Sequence, residues 1–335
     1  MIITALAASL SLAPCPAGAH CLEDETLLAV SANPDRAAFI LSAMQTAQAR
    51  YGDVFSRTPG LTAVIEDSTQ FPGLALELDG QGYTVKPWVS PQAMRDQLEA
   101  QLRPALEAQM AGAPEAVIDA AINSALSDRV DGNERVRHGE AIIAHELGHL
   151  WLRDTYDWPD IDTGGARTYG AAAAPDWFDE TAAVLMESEH LTGERRSNLC
   201  EDLPDDISAQ LSRYFTMEHP LLQMAALAAD RAAAAARARG EAADGPQIMV
   251  MSGDALSNQG ADMIGAERFY GLTRALVDYL MTRTGSHAVF DTLAQTLASG
   301  QSLEDWLASS PSDLPSSQAA LIDDLATFIE SGCAA

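Results

Sequence analysis

Apolar and polar positions alternate along residues 35–55 at helical spacing, and the stretch predicts an amphipathic helix. Residues 61–65 form a short β-prone run. Residues 74–78 and 83–88 flank the turn sequence Asp79-Gly80-Gln81-Gly82, a pattern that predicts a β-hairpin. Ser90-Pro91 then opens a helix, with serine as N-cap and proline at the first helical position. Helices are expected over 91–110 and 114–128, divided by Gly112 and Pro114. After the turn at Asp131-Gly132-Asn133 a long helix is predicted over 134–154, then a Gly-, Asp- and Ala-rich loop over 156–174. Pro175-Asp176-Trp177 starts a helix reaching about residue 190. Past a polar stretch around Cys200, helices are expected over 205–215 and 220–242, the second rich in alanine and solvated by its arginines. Residues 247–260 are expected to form a loop, and helices expected over 263–284, 286–298 and 316–331 finish the chain. The order of elements, strands early and helices late, predicts an α+β fold that is predominantly helical. It divides into a small β-containing N-terminal lobe over 20–132 and a helical region over 133–335, together one unit.

Residues 2–13 are apolar but too short for the roughly 20 residues that cross a bilayer as a helix. With Ala17-Gly18-Ala19 after them they have the form of a signal peptide over 1–19, although no basic residue precedes the apolar run. Export to a periplasm or medium is the expectation, with no stable membrane insertion once the signal is removed; a buried N-terminal helix is the alternative. A lipid anchor on Cys15 is disfavoured, because Pro14 stands where a small residue is usual. Removal of 1–19 would leave Cys21, Cys200 and Cys333, hence at most one intramolecular disulfide and one thiol over. Their spacing matches no zinc ribbon or CxxC redox motif. The formal charge is −28, from 48 acidic and 20 basic side chains. Such a surface repels phosphates, so nucleic acid is excluded as a partner. Lys86 is the sole lysine, and with abundant alanine the arginine bias points to a GC-rich bacterial host.

The chemistry lies in His145-Glu146-Leu147-Gly148-His149, an HExxH sequence. Residues four apart share one helical face, so His145 and His149 can present two imidazoles to one ion, with the carboxylate of Glu146 beside them to take a proton from water. Ile143, Leu147, Leu150 and Trp151 make an apolar stripe largely opposite the histidines. The helix is therefore expected to pack with one face and to open the other to a cleft. Two exposed histidines beside a salt-bridging glutamate are the alternative reading of the motif. Catalytic zinc takes three protein ligands and keeps one open position. A metzincin would need Gly and His where this chain has Leu152 and Thr155, and an aspzincin would need Asp where it has Ala166.

Downstream, Trp177-Phe178-Asp179-Glu180-Thr181 resembles the WLxEGxA motif of the gluzincin zinc metallopeptidases, the peptidase MA-like group. That resemblance puts Glu180 on the third zinc ligand. It also matches Glu187, seven residues on, to a glutamate that orients a ligand histidine; a solvated carboxylate is the alternative. Thr181 stands where the family usually has glycine, and 30 residues separate His149 from Glu180, more than in gluzincin aminopeptidases. The segments around Phe269-Tyr270-Gly271, 275–280 and 302–307 resemble the tyrosine-bearing helix and its successors in that group. By this match Tyr270 stabilises an oxyanion; a core aromatic is the alternative. The resemblance spans roughly residues 60–310 and is specific only at the two motifs.

It implies a Zn2+-dependent peptidase acting on peptide or protein substrates, with His145, His149 and Glu180 as ligands and Glu146 as general base. No GxMEN segment precedes His145, which favours an endopeptidase over an aminopeptidase. Residues 83–88 are a candidate edge strand for pairing with an extended substrate. A non-catalytic zinc-binding or scaffolding protein is the rival, as is a hydrolase of a non-peptide amide. His138, His190, His219 and His287 are expected at the surface or at helix ends, although His138, two turns before His145, could approach the site.

Overall fold

The computed structural model describes residues 15–130, 133–158, 174–223, 264–309 and 313–334, and for 127–130 and 133–138 the backbone alone. The described chain is mostly helical with a small mixed sheet near its N-terminus, an α+β fold as the order of elements predicts. It divides into two compact units, residues 1–46 with 59–143 and residues 47–58 with 144–335.

The first unit is built on four strands in the order β1-β2-β3-β4. β1 (His20–Asp24) and β2 (Leu27–Ser31) form an antiparallel hairpin, and β2, β3 (Thr62–Glu66) and β4 (Thr84–Trp88) run parallel. Parallel neighbours require crossovers. Helix α1 (Pro34–Phe55) links β2 to β3, and α2 (Leu74–Gly80) links β3 to β4. β2 and β3 are buried along their whole length, so they read as continuous apolar runs without alternation. On one face Leu28, Val30, Ala63 and Ile65 pack with Phe71, Leu74, Leu78 and Tyr83. β4 is an edge strand, which tolerates Pro87. Beyond it α3 (Pro91–Gln109) starts as the sequence predicts, with the Ser90 hydroxyl accepting from the Ala93 N–H at 3.0 Å. α3 and α4 (Glu115–Val130) make a helical hairpin with its own apolar seam of Ile118, Ile122 and Leu126 against Leu98, Leu102 and Leu106.

The expected hairpin over 74–88 does not form. Leu74, Leu76 and Leu78 satisfy a two-residue period, but Leu74 and Leu78 also lie one helical turn apart. Those two are buried while Leu76 is 77% exposed, the helical solution. Gly73, at φ 86°, breaks the chain ahead of the helix in a conformation that suits glycine.

The second unit gathers the end of α1, the end of α5 (Asn133–Thr155), α6 (Asp176–Met186), α7 (Glu189–Glu201), α8 (Ile207–Tyr214), α9 (Ala266–Thr284), α10 (Ala288–Ala298), α11 (Leu303–Ser309) and α12 (Gln318–Cys333). α9 is its central helix and touches α6, α7, α8, α10 and α12. Phe269, Leu272, Leu276, Tyr279 and Leu280 bury it on most sides, as befits a core helix. Tyr51 near the end of α1 donates to the Trp151 carbonyl at 3.0 Å and packs edge-on to its ring, which fixes α5 in the same core.

The helix expected to run from 175 to 190 ends early. At Glu187 the backbone turns extended, and the Ser188 hydroxyl caps a new helix, α7, by accepting from the Leu191 N–H. α7 runs through Cys200, where a polar stretch was expected. Cys200 is bonded to Cys333 of α12, and Cys15 to Cys21. No described cysteine is free. The odd thiol expected after loss of residues 1–19 would therefore be Cys21, whose partner lies in the removed segment. The loop over 156–174, most of the 220–242 helix and the 247–260 loop lie largely or wholly outside the described residues.

Candidate metal centre

The last turns of α5 carry the HExxH sequence. Ile143, Leu147 and Trp151 are buried as the apolar stripe predicts, and they fix the helix about its axis. On the opposite face His145 is buried as well, while His149 and Glu146 are half-buried. Pro175 stands at the N-cap of α6, and Trp177 and Phe178 anchor its first turn in the core. Glu180 follows one turn later, 1% exposed. What lets the two helices approach is Gly148. A Cβ there would lie 2.6 Å from the Ala183 Cα and 2.7 Å from the Ala182 carbonyl oxygen. The glycine between the histidines thus brings the backbone carrying Glu180 directly against them.

The result is a tight polar cluster. His145 Nε2 is 3.1 Å from Glu180 Oε1, and His149 Nε2 is 3.8 Å from Glu180 Oε2. One ligand atom from each of His145, His149 and Glu180 lies within 4.8 Å of the others. A tetrahedral ion with bonds of ~2.1 Å needs ligand atoms roughly 3.4 Å apart. The His145–Oε1 separation lies close to that value, and the His149 contact is to the other oxygen of the same carboxylate.

Both imidazoles are backed by carboxylates. His145 Nδ1 hydrogen-bonds Glu187 Oε1 at 3.0 Å, and His149 Nδ1 is 3.0 Å from Asp179 Oδ1. An outer carboxylate on Nδ1 turns Nε2 inward and raises its basicity, the usual support of a ligand histidine. Glu187 is held in turn by Arg195, whose Nη2 donates to the same Oε1 at 3.2 Å. Arg50 donates to the carbonyls of Met186 and Glu187, securing the break between α6 and α7. The Arg195 guanidinium also lies 4.1 Å over the Tyr270 ring, whose centroid is 6.0 Å from that of His145.

Charge bookkeeping tests whether a metal fits. Asp179, Glu180 and Glu187 are buried carboxylates, and among the described residues the Arg195 guanidinium reaches Glu187. With neutral imidazoles, the described residues leave two negative charges in excess in a low-dielectric site, a costly state that one divalent cation would remove. Without the cation, protons take its place. Burial disfavours the imidazolium of His145, but Glu180 and Glu187 outweigh it and hold its pKa up to about 10. His149 is raised too, since Asp179 and Glu180 overcome the same burial. Burial alone would raise Glu180, yet His145, His219 and His149 keep its carboxyl well below the usual range. The donor set, two imidazoles and a carboxylate, suits a divalent transition metal.

No protein-family model, curated protein or solved structure matches this chain. The site rests on its own geometry. His145, His149 and Glu180 come together as the sequence predicts; Glu146 sits beside them on α5; Tyr270 on α9 is buried against His145. Glu187 reaches His145, although it does so from the C-cap of α6 and not from a continuing helical face. His190 pairs with Glu194 at the surface, His287 is exposed, and the His138 side chain lies outside those described. His219 departs from expectation. It is buried, with Nε2 3.3 Å from Glu180 Oε2. Asp179, Arg195 and His219 carry no spacing signal; the adjacency of Asp179 to Glu180 was the one available clue.

Proposed function

We propose that this chain is a zinc-dependent peptidase of the gluzincin type, with His145, His149 and Glu180 as metal ligands. One observation carries the reading: an HExxH helix and a glutamate from a second helix converge within ligand distance, with both imidazoles backed by buried carboxylates. A structural site needs no half-buried glutamate beside its ligand histidine, and Glu146 is such a residue.

Zinc, if held by these residues, would supply Lewis acidity toward a substrate carbonyl and lower the pKa of water toward neutral pH. Glu146 takes the proton of the attacking water and delivers it to the leaving amine. Tyr270, clamped by Arg195, donates its hydroxyl proton in a hydrogen bond to the charge growing on the carbonyl oxygen, worth ~3 kcal/mol for one such donor. Asp179 and Glu187 keep the two Nε2 atoms directed inward throughout. The substrate is an internal peptide bond. The Cys200–Cys333 disulfide supports an exported enzyme, since such bonds persist in oxidising compartments.

Hydrolysis of an internally quenched peptide library by the zinc-loaded protein tests this. Glu146→Gln should retain zinc and lose roughly 10²–10⁴-fold in rate. A variant as active as the wild type would remove Glu146 from the chemistry. A wild type that binds zinc and cleaves no peptide would favour the rival reading, a zinc-binding scaffold.

A further inference from the structure

The segment after α8 carries His219 into the centre by two anchors on α6. Its backbone N–H donates to Asp176 Oδ2 at 2.7 Å, and its Nε2 lies 3.3 Å from Glu180 Oε2. Asp176 and Glu180 are four residues apart, so one face of α6 holds both the backbone and the ring. The orientation of the imidazole is set from its far side. Nδ1 accepts the Leu221 N–H at 3.2 Å, which leaves the proton of the neutral ring on Nε2, the atom facing Glu180. Phe269 packs edge-on to the ring, with centroids 4.9 Å apart. His219 is not among the residues whose ligand atoms gather within 4.8 Å. It therefore adjoins that group through Glu180.

We propose that His219 is a positioning residue of the metal centre, donating from Nε2 to Glu180 Oε2 so that Glu180 binds the metal through Oε1 alone. The inference rests on the metal reading above and deepens it. A carboxylate with both oxygens free can swing or chelate, taking up the position that a water needs. Here His219 Nε2 lies 3.3 Å from Oε2, while Oε1 lies 3.1 Å from His145 Nε2. Glu180 Oε2 is buried, so a hydrogen bond to it would offset a desolvation cost.

Zinc alone is the probe. Its affinity is measured by competition with a chromophoric chelator for wild type, His219→Ala and His219→Gln, with circular dichroism to verify folding. X-ray absorption at the zinc edge then counts imidazoles. His219→Ala should bind zinc roughly 10–100-fold more weakly, as loss of an outer hydrogen bond commonly does. His219→Gln, whose amide keeps a donor, should recover most of that loss, and all three proteins should show two imidazoles. If His219→Ala disturbs the fold, His219→Phe keeps the ring volume, removes the donor and takes its place. Wild-type affinity in the donor-less variant, or equal weakness of the Gln variant, overturns the proposal. A third imidazole present in wild type and lost in the variants overturns it too, by making His219 a ligand. Those results leave the metal centre standing; a wild type that takes up no zinc sinks both.

Discussion

Gly148→Ala gives the packing account a sign to predict. In an ordinary helix interior this change stabilises by about 0.5–1 kcal/mol, through backbone entropy. Here the new methyl would lie 2.6 Å from the Ala183 Cα and 2.7 Å from the Ala182 oxygen. Carbon atoms rest about 3.5–4.0 Å apart, so α5 and α6 must separate by roughly 1 Å. Both obstacles are backbone, and no rotamer change relieves them. Overpacking of this kind costs about 1–3 kcal/mol, which matches or exceeds the helix gain and leaves a net loss of up to about 2.5 kcal/mol. The metal centre should suffer more than the fold. Ala182 and Ala183 lie two and three residues from Glu180, whereas a metal site tolerates ligand displacements of only about 0.2 Å. Urea unfolding of the metal-free protein reads the first effect, and zinc competition titration reads the second. The expected result is a lower unfolding midpoint with zinc affinity reduced roughly 10–100-fold. A higher midpoint with unchanged affinity would refute the close approach of the two helices.

Three further outcomes follow from named contacts. Glu187→Gln keeps the shape but weakens the charged support of His145 Nδ1, so zinc affinity should fall roughly 10–100-fold while Glu180→Ala falls further; equal affinity to wild type in a competition titration would detach Glu187 from the site. Zinc binding should release protons near pH 7, because His145, at about 10, is an imidazolium between two carboxylates and must become neutral to bind. Calorimetry in buffers of different ionisation enthalpy measures this, and zero release would contradict it. On the α7–α9 surface, burial works against ionising Asp278, but Arg196 and Arg274 outweigh it and hold its carboxyl below the usual 3.8. The sign is that of a depressed acid: its contribution is complete above the unfolded value and is lost as pH falls through the folded one. Asp278→Asn should therefore flatten the acid limb of stability below pH ~4, and an unchanged limb in pH-dependent unfolding would remove that pair from the account.

The helical framework was legible because its signals are local. The Ser90-Pro91 start, the stripe of Ile143, Leu147 and Trp151, and the break at Pro175 each rest on neighbours within a turn or two. The sheet was less so. β2 is buried throughout and shows no alternation, and the leucines at 74, 76 and 78 fit a strand and a helix equally until a core selects Leu74 and Leu78. Within the site, the candidate ligands announced themselves by spacing and by resemblance to a motif. Their supports did not. Arg195 and His219 reach Glu187 and Glu180 from other elements, so only the packing of α7 and of the segment after α8 reveals them. Gly148 reads as a weak point in a helix until Ala183 is found against it.

The central claim, a metal held by α5 and α6, is tested most directly by elemental analysis of the purified protein after dialysis, wild type beside Glu180→Ala. The account predicts about one zinc per wild-type chain and little in the variant, since catalytic zinc depends on three protein ligands. A wild type without metal after zinc reconstitution would contradict it, and zinc retained in full by Glu180→Ala would show that the third ligand is not Glu180.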